Sequence, residues 1–151
     1  MADAVLWVLN GPNLSLLGVR EPEIYGRDTL ADVEAACRRE ADAAGLPLRF
    51  HQTDAEHVMV GWLHEARIGA AGIVINPAAF SYGGYAMLDA LKMCDCPIVE
   101  VHISNIHRRE EAWRARSLVT PAATGIISGL GVDGYPLAVR HVARLHERSK
   151  R

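Results

Sequence analysis

The chain has 151 residues, of which 50% are hydrophobic and 23% are charged. This length and composition favour one soluble globular domain over residues 1–151 and exclude a disordered chain. The formal net charge of −2 predicts no general attraction to nucleic acid or to an anionic membrane.

Short apolar runs alternate with helical patterns along the chain. The first run is apolar almost without interruption and is closed by the turn-forming cluster 10–13, which is typical of a strand buried on both faces. The first helix has Asp28 or Thr29 as its N-cap and Gly45 at its end. In chain order, the patterns predict a strand over 4–9, a helix over 29–44, a strand over 48–53, a helix over 56–68, a strand over 72–75, a helix over 85–93, a strand over 97–101, a short helix over 108–114, a strand over 124–128 and a helix over 135–147.

This alternation predicts an α/β fold with a parallel sheet and helices on both faces. One segment departs from it, because residues 11–27 carry no regular pattern. Long structureless loops in compact domains are often lids or binding loops. We therefore expect this loop, which contains Arg20 and Tyr25, to belong to a functional site.

Polar residues follow three of the predicted strands, at 10–13, 76–79 and 100–105. In an open α/β sheet, ligands bind outside the carboxyl ends of the strands, where the strand order reverses. Neutral amides and hydroxyls together with one imidazole predict a site for a small polyhydroxylated ligand.

Two pairs of residues are candidates for acid–base chemistry. Glu100 and His102 are two apart in a strand and share a face, so the carboxylate can orient a protonated imidazole as a general acid. A structural ion pair without chemistry fits the same spacing. Arg20 can stabilise the phenolate of Tyr25 as a base, although an Arg and a Tyr in a loop are by themselves more typical of an exposed surface.

The remaining motifs predict no cofactor or metal. Three cysteines, an odd and sparse set without redox or zinc spacing, are typical of inert thiols in a reducing compartment. The GxGxxG hexapeptide at 129–134 follows the last strand, so a dinucleotide site is not expected there. The apolar run at 4–9 lacks the features of a signal peptide, which predicts a cytoplasmic protein without a membrane span.

Several motifs in one order resemble the type II 3-dehydroquinate dehydratases. The resemblance extends from Val5 to His146, nearly the whole chain. The matching segments are Asn10–Leu14, Leu17–Pro22, Tyr25–Gly26, Gln52–Asp54, Ile75–Phe80, Glu100–Asn105, Arg109–Glu111, and Ala123–Gly131 followed by Tyr135.

This resemblance implies a flavodoxin-like three-layer sandwich with a five-stranded parallel sheet in the order 2-1-3-4-5. It implies a hydro-lyase of the shikimate or quinate pathway that converts 3-dehydroquinate to 3-dehydroshikimate without metal or cofactor. It also implies a homo-oligomer, a dodecamer built from trimers.

The resemblance assigns catalytic roles to five positions. Tyr25 removes the C2 proton, and Arg20 activates it as a phenolate. His102, oriented by Glu100, protonates the departing C1 hydroxyl. Asn13 belongs to the same catalytic group.

Further positions are implied to bind the substrate. Asn76, with a water, stabilises the enolate, while the Ile103 amide and Ser104 hold the carboxylate. Arg114 contacts ring hydroxyls, and Asp89 comes from, or reaches toward, a neighbouring subunit.

The sequence departs from the family pattern at one end of the implied pocket. Tyr82 stands where a substrate-binding histidine is usual, Leu88 replaces a cation, and the loop near Ala112 and Trp113 is one residue longer. Neutral drift that retains the activity explains these changes. Two alternatives stay open: a dehydratase of a modified substrate such as aminodehydroquinate, or a catalytically impaired flavodoxin-like interaction module.

Overall fold

The computed structural model describes residues 4–151 and contains one five-stranded parallel sheet, in the order β2-β1-β3-β4-β5. The strands are β1 Val5–Asn10, β2 Leu48–Gln52, β3 Ala70–Asn76, β4 Ile98–His102 and β5 Gly125–Ser128. The helices are α1 Pro22–Tyr25, α2 Leu30–Ala43, α3 Glu56–Ala66, α4 Tyr85–Lys92 and α5 Gly134–Ser149. The predicted sheet and strand order are confirmed. No helix within these described residues is long and apolar enough to cross a membrane.

The sheet separates two apolar clusters, because successive side chains of a strand point to opposite faces. Leu6 and Val8 of β1 pack with residues of α2 and α5 on one face. Trp7 and Leu9 pack with residues of α3 and α4 on the other. This three-layer arrangement explains why the strands read as almost continuous apolar runs.

The ends of α2 follow from local sequence. The Thr29 amide donates to Asp32 Oδ2 at 2.9 Å, and the Asp32 amide donates to Thr29 Oγ1 at 3.2 Å. This reciprocal pair satisfies two amides that a helix start leaves free. Gly45 follows the helix with φ of +67°, a conformation that glycine adopts without strain. Of the two predicted caps, Thr29 is the one that forms.

The predicted helix over 108–114 is wrong. The structure has two separate 3-10 turns, Ile106–Arg108 and Ala112–Ala115, with Arg109 in an extended conformation between them. The side chain of Asn105 accepts the amide of His107 at 3.1 Å and starts the first turn. The break turns the chain at Arg109, whose side chain lines a cavity beside His102.

The loop over 11–27 also has more structure than its sequence pattern predicts. It contains a 3-10 turn, Leu14–Leu16, and the single-turn helix α1. Single turns are too short to give a periodic apolar pattern. Pro22 begins α1, where its missing amide proton costs no helical hydrogen bond.

The strand order reverses between β1 and β3. Asn10 and Asn76, the last residues of these strands, are paired in register. A side chain at Gly11 would collide with the main chain of Pro77, so the two strand exits can run this close only with glycine at 11. A ligand-binding crevice is expected at such a reversal.

Candidate active site

A cavity of about 420 Å³ opens at the carboxyl ends of β1, β3 and β4. Every site residue predicted from the sequence lines it except Glu100 and Asp89. The predicted residues in its wall are Asn13, Arg20, Tyr25, Asn76, Tyr82, His102, Ile103, Ser104 and Arg114.

The Glu100–His102 pair lies at the end of β4 and is buried. Glu100 Oε2 is 2.5 Å from His102 Nε2, and Glu100 Oε1 accepts the hydroxyl of Thr120 at 2.6 Å. Burial alone would raise the pKa of Glu100, but its hydrogen bonds, led by that with His102, outweigh burial and lower it. Glu100 therefore stays ionised next to the His102 imidazole. Because Nε2 is committed to Glu100, Nδ1 is the ring nitrogen available to a ligand.

Tyr25, the last residue of α1, faces two guanidinium groups. Arg109 Nη2 donates to the Tyr25 hydroxyl at 2.9 Å and to Ser104 Oγ at 2.8 Å. The Arg20 guanidinium carbon lies 5.6 Å from the centre of the Tyr25 ring, and that of Arg109 lies at 5.7 Å. The hydrogen bond to Tyr25 raises the pKa of Arg109, which keeps this cation charged. The structure thus places Arg20 near the Tyr25 ring and Arg109 at the Tyr25 hydroxyl.

A buried tyrosine fixes the asparagines at the ends of β1 and β3. The Tyr135 hydroxyl donates to Asn10 Oδ1 at 2.7 Å and accepts from Asn76 Nδ2 at 2.8 Å. Burial raises the pKa of Tyr135, so the hydroxyl keeps its proton as a donor. Asn76 Oδ1 also accepts the amide of Ala78 at 3.2 Å. The orientation of Asn76 in the cavity wall is therefore set by two partners.

Replacing Tyr135 with phenylalanine is expected to destabilise the fold by about 2–4 kcal/mol, because it keeps the ring but leaves Asn10 Oδ1 and Asn76 Nδ2 buried without this partner. Denaturant unfolding at fixed protein concentration measures the change. The matched control is Tyr85→Phe, since Tyr85 is 65% exposed and its loss should stay within about 0.5 kcal/mol. Equal stability of the two variants would contradict this account.

Asn13 and the end of β4 supply further polar groups to the cavity. Asn13 is in the left-handed conformation with φ of 68°, and its amide donates to Asp54 Oδ1 at 2.9 Å. Its side chain makes no hydrogen bond with another residue of the described range 4–151. Ile103 and Ser104 line the cavity directly after His102.

Tyr82, Trp113 and Arg114 form one wall of the cavity. The Tyr82 hydroxyl donates to the main-chain oxygen of Arg114 at 3.1 Å, and its ring meets Trp113 edge-on at 4.8 Å. The Arg114 guanidinium lies 4.5 Å from the centre of the Trp113 ring. Burial raises the pKa of Tyr82, so its hydroxyl acts as a neutral group.

Asp89 does not join these residues. It is exposed on α4 and does not line the cavity of its own chain. Its place at a neighbouring subunit stays a prediction.

Three side chains of the site were missed from the sequence. In the sequence, Arg109 belongs to a family motif and Trp113 to a loop of unusual length, and neither pattern assigns the residue a role. Thr120 carried no signal at all, because its partner Glu100 lies twenty residues earlier in sequence. Only the arginine, a cation close to the strand that carries His102, offered a sequence signal that could have been used.

Comparison with known proteins gives one consistent result. Residues 4–143 match the family model described as dehydroquinase class II. A 3-dehydroquinate dehydratase of Methylobacterium radiotolerans is 56% identical over 145 residues, covering 96% of both chains. One of Streptomyces avermitilis is also 56% identical, covering 99% of this chain and 94% of the relative.

Solved structures agree with the sequence relatives. The crystal structure of the type II dehydroquinase from Propionibacterium acnes superposes with a TM-score of 0.88 at 46% identity. The match covers 95% of this chain and 98% of that one. Because the family model matches residues 4–143, which is most of this chain, the chain belongs to the class II dehydroquinase family.

Proposed function

We propose that the chain is a type II 3-dehydroquinate dehydratase, a hydro-lyase that removes water from 3-dehydroquinate to give 3-dehydroshikimate. The family membership and the relatives named 3-dehydroquinate dehydratase support this activity. The observation that carries it is that Tyr25 and His102 line one cavity. Tyr25 lies beside guanidinium groups, and His102 is hydrogen-bonded to the carboxylate of Glu100. The elimination needs such a base for the C2 proton and such an acid for the C1 hydroxyl.

In the first step the phenolate of Tyr25 takes the C2 proton, which lies next to the C3 ketone. The electron pair of the broken C–H bond moves into the enolate. The guanidinium groups of Arg109 and Arg20 stabilise the phenolate by their charge, and Arg109 also by its hydrogen bond.

The enolate oxygen is stabilised by neutral donors. Asn76, with a water, takes this role, although one hydrogen of its amide is already given to Tyr135. The Asn13 side chain, which has no hydrogen-bond partner within residues 4–151, supplies a second amide. Asn76 is held by Tyr135 and by the amide of Ala78, and a donor fixed in this way stabilises developing negative charge without having to reorganise.

In the second step protonated His102 donates its Nδ1 proton to the C1 hydroxyl, which leaves as water. The enolate electrons form the C1–C2 double bond and restore the ketone, which gives the conjugated enone. Glu100 stabilises the imidazolium. The Ile103 amide and Ser104 hold the carboxylate, and Arg114 contacts the ring hydroxyls, with Tyr82 in the cavity wall at the same end of the substrate.

We extend the proposal to the assembly and its place in the cell. Residues 1–151 act as one domain, and the chains assemble through trimers into a dodecamer in the cytoplasm. The position of Asp89, exposed on α4 and away from its own cavity, supports a role in a neighbouring subunit's site. Mass photometry is expected to give a twelve-chain species, and a monomer at micromolar concentration would contradict this part.

The deciding experiment follows the ultraviolet absorbance of the enone when purified protein is mixed with 3-dehydroquinate. A parallel reaction with aminodehydroquinate tests the alternative that Tyr82 raises. A higher kcat/KM for the amino compound would change the substrate but keep the chemistry. Turnover of neither compound would favour the interaction module.

A further inference from the structure

We call residues 111–120 the strap. Arg114 of the strap lines the cavity, and Thr120 at its end contacts Glu100. At its middle the strap is tied to the 3-10 turn Ala78–Tyr82 by two hydrogen bonds. The Tyr82 hydroxyl donates to the Arg114 main-chain oxygen at 3.1 Å, and the Leu118 amide donates to the Ser81 oxygen at 2.8 Å.

The other end of the strap reaches the acid. The Thr120 hydroxyl donates to Glu100 Oε1 at 2.6 Å, while Glu100 Oε2 holds His102. Val119, between the two attachments, is fully buried in the cluster that α3 and α4 cover. The strap is therefore fixed to the core between Arg114 and Thr120, so the two ends need not move together.

The hydroxyls of Tyr82 and Thr120 are thus placed to support different parts of one reaction. Tyr82 fixes the main chain that carries Arg114, a cavity residue whose guanidinium lies 3.5 Å from Glu111 and 4.5 Å from the centre of the Trp113 ring. Thr120 fixes the carboxylate that orients the imidazole. The Tyr82–Arg114 and Thr120–Glu100 hydrogen bonds have no atom in common, so one can be removed without removing the other.

We propose that Tyr82 and Thr120 are positioning residues that divide the strap into a substrate-holding end and an acid-orienting end. This inference rests on the proposed function. Tyr82 acts through Arg114 on the binding of the substrate ring, and Thr120 acts through Glu100 on proton donation by His102. A loss at Tyr82 therefore appears in KM, and a loss at Thr120 appears in kcat.

Two single-atom changes test the division with 3-dehydroquinate as the substrate. Tyr82→Phe removes the hydroxyl but keeps the ring against Trp113, and should raise KM about three- to tenfold with kcat within about twofold of the wild type, the size expected for one neutral hydrogen bond. Thr120→Val keeps the branched shape and should lower kcat about ten- to a hundredfold with little change in KM, since its hydrogen bond is to a charged group.

Matched controls separate positioning from a general loss of structure. Thr120→Ser restores a hydroxyl and should recover most of kcat, and Tyr85→Phe, at an exposed tyrosine outside the cavity, should leave both constants unchanged. If both constants change together in Tyr82→Phe and in Thr120→Val, or if Thr120→Ser is as slow as Thr120→Val, the division is wrong. An inactive wild type would overturn the proposed function and this inference with it, whereas an active wild type without the opposite shifts overturns the inference alone.

Discussion

Tyr25→Phe is expected to lower kcat for 3-dehydroquinate by about 10²–10⁴-fold, the usual contribution of a positioned general base. The substitution removes one oxygen, the atom to which Arg109 donates at 2.9 Å. The ring and its contacts with the two guanidinium groups remain, so the substrate should still bind. Steady-state kinetics with the enone absorbance measures the loss, and an inhibitor titration measures binding.

The control for this variant is Tyr85→Phe, which makes the same chemical change at an exposed position outside the cavity. Its kcat should equal that of the wild type. If Tyr25→Phe were also to turn over at the wild-type rate, Tyr25 would not be the base. The two arginines would then have to serve substrate binding alone.

His102→Gln is expected to lower kcat by about 10²–10³-fold, because the variant lacks a group that can give a proton to the leaving hydroxyl. Glutamine is the variant of choice since its side-chain amide can still donate to Glu100, whose buried carboxylate would otherwise lose the partner it has at 2.5 Å. Thermal unfolding should therefore change far less than the rate.

An exchange experiment distinguishes the acid from the base. In D₂O, His102→Gln should still exchange the C2 proton of 3-dehydroquinate for deuterium, because Tyr25 is intact and forms the enolate. Tyr25→Phe should lose exchange and dehydration together. Both reactions are followed by proton NMR of the substrate pool. Loss of exchange in His102→Gln would show that His102 is needed before the enolate forms, against the assigned order of steps.

The sequence predicted the sheet closely because each strand is a local signal. Apolar runs at 4–9 and 72–75 are buried on both faces, and a turn cluster ends each of them. The apolar pattern therefore predicted each strand, and the turn residues predicted where it ends. The family resemblance supplied the strand order, which the sheet confirms. Short elements were predicted poorly, because α1 and the turns around Arg109 are single turns. The Asn105 side chain caps the turn Ile106–Arg108, and a hydrogen bond between Arg109 and the distant Tyr25 joins α1 to this region.

The sequence alone determined which chemical groups could carry the reaction. A carboxylate and an imidazole two apart in a strand must share a face, and that relation needs no tertiary contact. The tertiary structure alone decided which cation meets the Tyr25 hydroxyl, which hydroxyl supports Glu100 and which residue holds Asn76. Arg109, Thr120 and Tyr135 lie 84, 20 and 59 residues from these partners, so only the folded chain brings them within hydrogen-bond distance.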